Sequence, residues 1–293
     1  MPLLSLLFNI YIFLLGTAIG SFLNVIIYRL SVDHFSFFKS LGGLRGRSYC
    51  PHCKKQLSWQ DLTPLISFLF LQGKCRYCKK KISWQYPLVE LITGLSFLII
   101  FNLKFLWVAT LIPISASFNQ FAIFNFINLF FLFFTISVLI IIFVYDLKHY
   151  LIPDNILFPA IIVTIFYRIL DALAISGWHV GQNLLLLLAN YVLAAILASG
   201  FFLSLFIFSR GRWMGFGDVK LAILLGLLLG LPNIFVGLFL AFFLGATIGI
   251  ILMYAKKKGL KSEIPFAPFL IVGTLAALFF GNQIIHWYGG FFI

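Results

Sequence analysis

Two aspartates and four cysteines carry most of the chemistry this chain could perform. Asp146 lies in Val-Tyr-Asp-Leu-Lys-His-Tyr-Leu-Ile-Pro-Asp (144–154), and Asp218 in Gly-Phe-Gly-Asp-Val-Lys (215–220). Each stands at the end of a long apolar run, in a chain of 293 residues with only 8 acids. A carboxylate beside hydrocarbon is costly, so an acid placed there is a functional candidate by default. Two of them at one depth can divide the work of hydrolysis. One, ionised, takes a proton from water; the other, kept neutral by its neighbour's charge and by poor solvation, donates to a carbonyl oxygen. Apparent pKa values would belong to the pair, so acid and base are not assigned individually.

The surroundings of the two acids suggest supporting groups. Gly215 and Gly217 lack Cβ atoms, which predicts close approach of backbone or substrate and inexpensive unusual dihedrals. Ile152-Pro153 forces an extended step after Asp146. Asp154 reads as a polar cap on the following span with a supporting place near the site, and Lys220 as a nearby charge partner. Taken singly, either aspartate could be a helix cap or a partner for Lys148 or Lys220. His149 reads as a solvated interfacial residue, and Asp171 has no partner in view. No Gly-x-Ser-x-Gly or His-Glu-x-x-His occurs, so the pair points to a membrane aspartyl protease.

The cysteines form Cys50-x2-Cys53 and, twenty-one residues on, Cys75-x2-Cys78. Two such knuckles can place four thiolates around one tetrahedral ion. Lys54-Lys55 and Lys79-Lys80-Lys81 follow the knuckles and offset part of the charge of a zinc–thiolate centre. Four sulfurs leave no open coordination position, so structural Zn2+ is expected, with another metal such as iron, two disulfides or four free thiols as alternatives. A cytoplasmic setting disfavours the disulfides. His52 is expected to be a bystander.

Composition fixes what must position these groups. Hydrophobic residues make up 62% of the chain and charged ones 10%, with a mean hydropathy of +1.08. Soluble domains carry about 25% charged residues, so much of this surface must face membrane lipid. No repeat or disordered tail is apparent, and the apolar N-terminus reads as a retained helix. Segments suited to a ~30 Å hydrocarbon core fall at 3–28, 86–103, 122–145, 156–175, 183–208, 219–231, 232–255 and 266–288. The sixth is short and shares the Leu231-Pro232-Asn233 hinge with the seventh. The expected class is an all-α polytopic membrane protein of about eight spans. Its parts are a first span (1–28), a zinc-binding cytoplasmic loop domain (29–85) and a transmembrane protease core (86–293).

With the first loop inside, 19 of the 21 basic residues lie on the inner side, leaving Lys104 and Arg168 outside. The positive-inside rule then puts both termini out and both aspartates at the cytoplasmic face. The net charge of +13 is therefore a topology signal, and no nucleic-acid partner is expected.

Together these pieces resemble a type IV prepilin peptidase over about residues 16–270. The landmarks are Gly-Ser-Phe-Leu-Asn-Val-Ile-Ile-Tyr-Arg (20–29), the double Cys-x2-Cys, Tyr-Pro-Leu-Val-Glu (86–90), the Asp146 segment through Asp154, and Gly-Phe-Gly-Asp-Val-Lys. Phe216 stands where many relatives have Met. The resemblance implies cleavage of the basic leader of prepilins and pseudopilins at the cytoplasmic face of the bacterial inner membrane, with Asp146 and Asp218 catalytic. It also implies N-methylation of the new terminus with S-adenosylmethionine. Glu90 is the candidate residue for that second activity, although no adenosylmethionine motif is recognisable. Gly16-x3-Gly20 reads first as a close-packing helix motif.

Three other readings stay open. Tyr145-Asp146 and Gly-Phe-Gly-Asp also resemble presenilin and signal-peptide-peptidase proteases, which lack a four-Cys loop and cut inside the bilayer. A cation-coupled transporter would bind ions through paired acids, but near the midplane of broken, repeated helices. A non-catalytic assembly protein would dock partners through the cysteine loop.

Overall fold

The computed structural model describes residues 2–32, 47–111, 118–176, 181–255 and 264–290. Lys39, Arg45, Lys256, Lys257, Lys258 and Lys261, which enter the charge argument, lie outside the described residues. Among those described there is no strand, only the isolated bridges Tyr49–Gln56 and Lys74–Lys81. The helices are α1 (Pro2–Val32), α2 (Ile66–Phe70), α3 (Gln85–Leu111), α4 (Phe118–His149), α5 (Asp154–Ile175), α6 (Gln182–Ser209), α7 (Phe216–Leu229), α8 (Asn233–Tyr254) and α9 (Ala267–Gly289).

Seven of these are long and apolar enough to cross a membrane; α2 and α7 are not among them. At 14 residues, α7 rises about 21 Å, short of a ~30 Å core. The expectation of about eight spans thus becomes seven full-length helices and one short one. Unlike its neighbours, α7 is buried along nearly its whole length, from Asp218 to Leu229. A helix apolar on every side is buried either in lipid or in protein, and the burial of α7 is against protein.

The chain divides into two compact units, 1–141 and 142–293, with the division inside the continuous helix α4. In the first unit, α1 packs on α3 through small residues. A Cβ on Gly16 would come 2.8 Å from Gly94 Cα, and one on Gly20 2.7 Å from Glu90 Cα. Gly16-x3-Gly20 is thus a packing motif, as its spacing suggests. Asn24 Nδ2 donates to the Tyr86 carbonyl at 3.1 Å across the same seam.

In the second unit α6 packs on α7, with a Cβ on Gly226 reaching 2.4 Å from Ala195 Cα. Likewise α8 packs on α9, where a Cβ on Gly273 would lie 2.4 Å from the Gly237 carbonyl oxygen. Asp171, for which the sequence offered no partner, pairs with Arg168 one turn earlier, Nη1 to Oδ2 at 3.3 Å. Both lie within α5 rather than in a solvated outer loop.

Candidate active site and metal centre

Asp146 lies in the last turn of α4 and Asp218 in the first turn of α7. Both are buried, 5% and 8% exposed, in a chain with few buried charges. Their carboxylates are close enough for the charge of Asp146 to act on Asp218. Asp146 accepts a hydrogen bond from the Ala267 N–H at the start of α9, where exposed N–H groups favour an anion. Its Oδ2 is buried without a partner among the described residues. Buried polar oxygens are ordinarily satisfied, so this atom marks a place for water or a substrate group.

The Asp218 backbone N–H donates to the Gly215 carbonyl at 3.2 Å in the first turn of α7. Gly215 has φ −77°, an ordinary value, and open space where a Cβ would stand. The expected special dihedral is therefore not found there. At Gly217 the fit is closer: a Cβ there would sit 3.2 Å from Ile152 Cβ, a tight contact. Tyr150, at φ +56°, turns the chain after α4 and brings Ile152 to that contact. The turn after one aspartate thereby packs directly against the residue preceding the other.

Asp154 does not act as the N-cap of α5; Pro153 holds that position without a side-chain cap. Instead both Asp154 oxygens accept from Lys220 Nζ, at 2.7 and 2.8 Å, tying the start of α5 to α7. Lys220 Nζ also lies over the rings of Phe216 and Phe158, at 5.4 and 5.7 Å. His149 packs against Tyr145 in a tilted arrangement, ring centroids 4.5 Å apart. Sequence reasoning missed Ala267. Pro268 in the first turn of α9 signals a helix start, but nothing in the sequence says where its free N–H groups point.

The four cysteines meet in the first unit, with their sulfurs all within 4.8 Å of one another and Cys50 Sγ 3.9 Å from Cys78 Sγ. A tetrahedron with Zn–S bonds of about 2.3 Å has S···S edges of about 3.8 Å, so the donor set fits such an ion. The two knuckles repeat each other, contrary to the expectation of no repeat. Residues 50–60 and 75–85 both read Cys-x2-Cys-Lys-Lys-x-x-Ser-Trp-Gln. Cys50 N–H donates to Lys55 O at 3.0 Å and Cys75 N–H to Lys80 O at 2.9 Å, while Lys54 and Lys79 share φ near +57°. Asp61 braces the module: burial alone would raise its pKa, but hydrogen bonds from Ser58 and the charge of Arg76, 2.7 Å away, hold it below the usual range.

Glu90, 8% exposed on α3, accepts the Leu65 N–H at 2.8 Å. Leu65 has φ +58°, with the Ile66 N–H donating to the Pro64 carbonyl across it. Such a tight turn on a non-glycine residue is strained, and Glu90 helps to hold it. The carboxylate thus connects α3 with the segment before α2.

Two known protein families match the chain. The bacterial peptidase A24 N-terminal domain matches residues 14–104 and the type IV leader peptidase family residues 133–250. The chain is similar to a prepilin leader peptidase/N-methyltransferase of Legionella pneumophila, 32% identical over 96% of this chain and 94% of that protein. Proteins with the same description from Aeromonas hydrophila (30% identical, 94% and 92% covered) and Bacillus subtilis strain 168 (29%, 94% and 96%) are similar as well. No solved structure matches.

Proposed function

Because this chain belongs to the type IV leader peptidase family, we propose that Asp146 and Asp218 are the pair through which it removes prepilin leaders. It is a multi-pass membrane endopeptidase of the prepilin type with a second, N-methyltransferase activity. The observation that carries the catalytic assignment is the buried, unpartnered Oδ2 of Asp146 beside a second carboxylate in electrostatic reach. One carboxylate of the pair accepts a proton from water as its oxygen bonds to the scissile carbonyl carbon. The other donates its proton to the carbonyl oxygen, giving a neutral gem-diol. Collapse returns that diol proton to one carboxylate, the C–N bond breaks, and the leaving amine takes the proton held by the other. Two prealigned acids thus serve both halves of the cycle.

The substrates are prepilins and pseudopilins, whose apolar helix lies in the membrane with its leader in the cytoplasm. The cut then falls at the inner boundary of the bacterial inner membrane; the excess of basic residues in the loops beside the ends of α4 and α7 supports that side. The cysteine module holds zinc as a structural ion. S-adenosylmethionine supplies the methyl group in the second activity, for which Glu90 remains a candidate alongside its bracing role.

Incubating purified protein with a prepilin and S-adenosylmethionine, then reading the product terminus by mass spectrometry, tests both activities. D146N and D218N should each lower cleavage by roughly 10²- to 10⁴-fold, the span of general acid–base effects, while still methylating a precleaved pilin. Cleavage surviving in both variants would remove the pair from the mechanism.

A further inference from the structure

The end of α7 remote from Asp218 is buried at Leu227, Leu228 and Leu229. The last carbonyls of a helix lack intrahelical donors, and inside a membrane protein those needs are met by other protein groups. Here Arg168 on α5 meets them. Its Nε donates to the Leu227 carbonyl at 3.0 Å and its Nη2 to the Leu228 carbonyl. Nη1 pairs with Asp171, and the guanidinium lies 4.1 Å from the centre of the Tyr191 ring. From α6, Asn190 clamps Leu231, just beyond the end of α7, on both sides: Nδ2 donates to Leu231 O at 3.2 Å, and Leu231 N–H donates to Oδ1 at 2.7 Å. Gly230, at φ +66°, has no room for a Cβ, which would meet Asn190 Oδ1 at 2.8 Å.

We infer that Arg168 is a positioning residue that sets the axial depth of α7, and through it the height of Asp218 against Asp146. The inference rests on the reading of those two acids as the catalytic pair. A helix transmits displacement along its axis, so a slip of one carbonyl at the Arg168 end moves Asp218 by about 1.5 Å. Misplacement of about 1 Å can cost on the order of 10²-fold in rate. The planar fork of arginine reaches two successive carbonyls and Asp171 together. A lysine keeps the charge but not that geometry.

The test compares full-length R168K and N190A with wild type, measuring prepilin cleavage across pH. Expected are kcat losses of about 10- to 100-fold with KM within about threefold. The two limbs of the pH profile should also draw together, because carboxylates set farther apart couple less. Tyr145, Lys148, His149, Tyr150, Asp154, Arg210, Arg212 and Lys220, titratable groups on the flanking segments, are unaltered in both variants. Partial unfolding would lower the amplitude of the profile and leave its limbs in place. Limbs that coincide with wild type in both variants, at whatever amplitude, overturn the inference. A wild-type protein that leaves the leader intact would instead defeat the catalytic reading itself.

Discussion

Cys50 and Cys78, 28 residues apart along the chain, place their sulfurs 3.9 Å apart. At the scale of single residues, four thiols brought this close suit a single tetrahedral ion. Small modules without a large core depend on metals in this way. Cys53, the exposed member of the four, offers the mildest perturbation. Purified wild type should carry about one zinc per chain, and C53S should lose most of it to a chelator because three thiolates bind more weakly. Elemental analysis giving equal retention in the two proteins would sink the zinc assignment. The same scale shows where single-residue reading succeeded and where it stopped. The acids at 146 and 218 stood out because charge is rare in this chain. The partner of Asp154 was not legible, since capping and pairing with Lys220 leave the same residues in the sequence.

Among the elements, α7 is the one whose geometry the periodicity described least well. Its apolar run marks burial but does not distinguish lipid from protein as the burying medium, whereas α7 is covered by protein along most of its length. Gly226 shows why. A Cβ there would lie 2.4 Å from Ala195 Cα, a backbone atom that no rotamer change can move. G226A should therefore force α6 and α7 apart and destabilise the protein by about 1–3 kcal/mol, the usual cost of overpacking. G249A on α8 meets open space and should leave stability unchanged. Thermal unfolding in detergent compares the two; equal midpoints would show that the α6–α7 contact is not tight. The duplicated knuckle is the opposite case. Its repeat was present in residues 50–60 and 75–85, and the shared backbone hydrogen bonds make it plain.

For the whole molecule, sidedness turns on whether the short α7 counts as a traverse. If it did not, the segment after α8, with Lys256, Lys257, Lys258 and Lys261, would lie outside, against the positive-inside rule. Counting α7 keeps that segment in the cytoplasm and sends the C-terminus out. Alkaline phosphatase fused at the C-terminus should then be active, and the same reporter fused after Gly259 inactive. The reverse pattern would reassign α7 to one leaflet.

The sequence alone determined the class of the molecule, the identity of its acids and thiols, and the membrane face on which they are expected, because hydropathy, charge asymmetry and cysteine spacing are properties of the linear chain. Tertiary structure decided what surrounds each group: the Ala267 N–H on Asp146, the Arg168 and Asn190 clamp on α7, and the Glu90 hold on Leu65. Those contacts join residues far apart along the chain, and their energies depend on distance and direction, which composition and spacing do not encode.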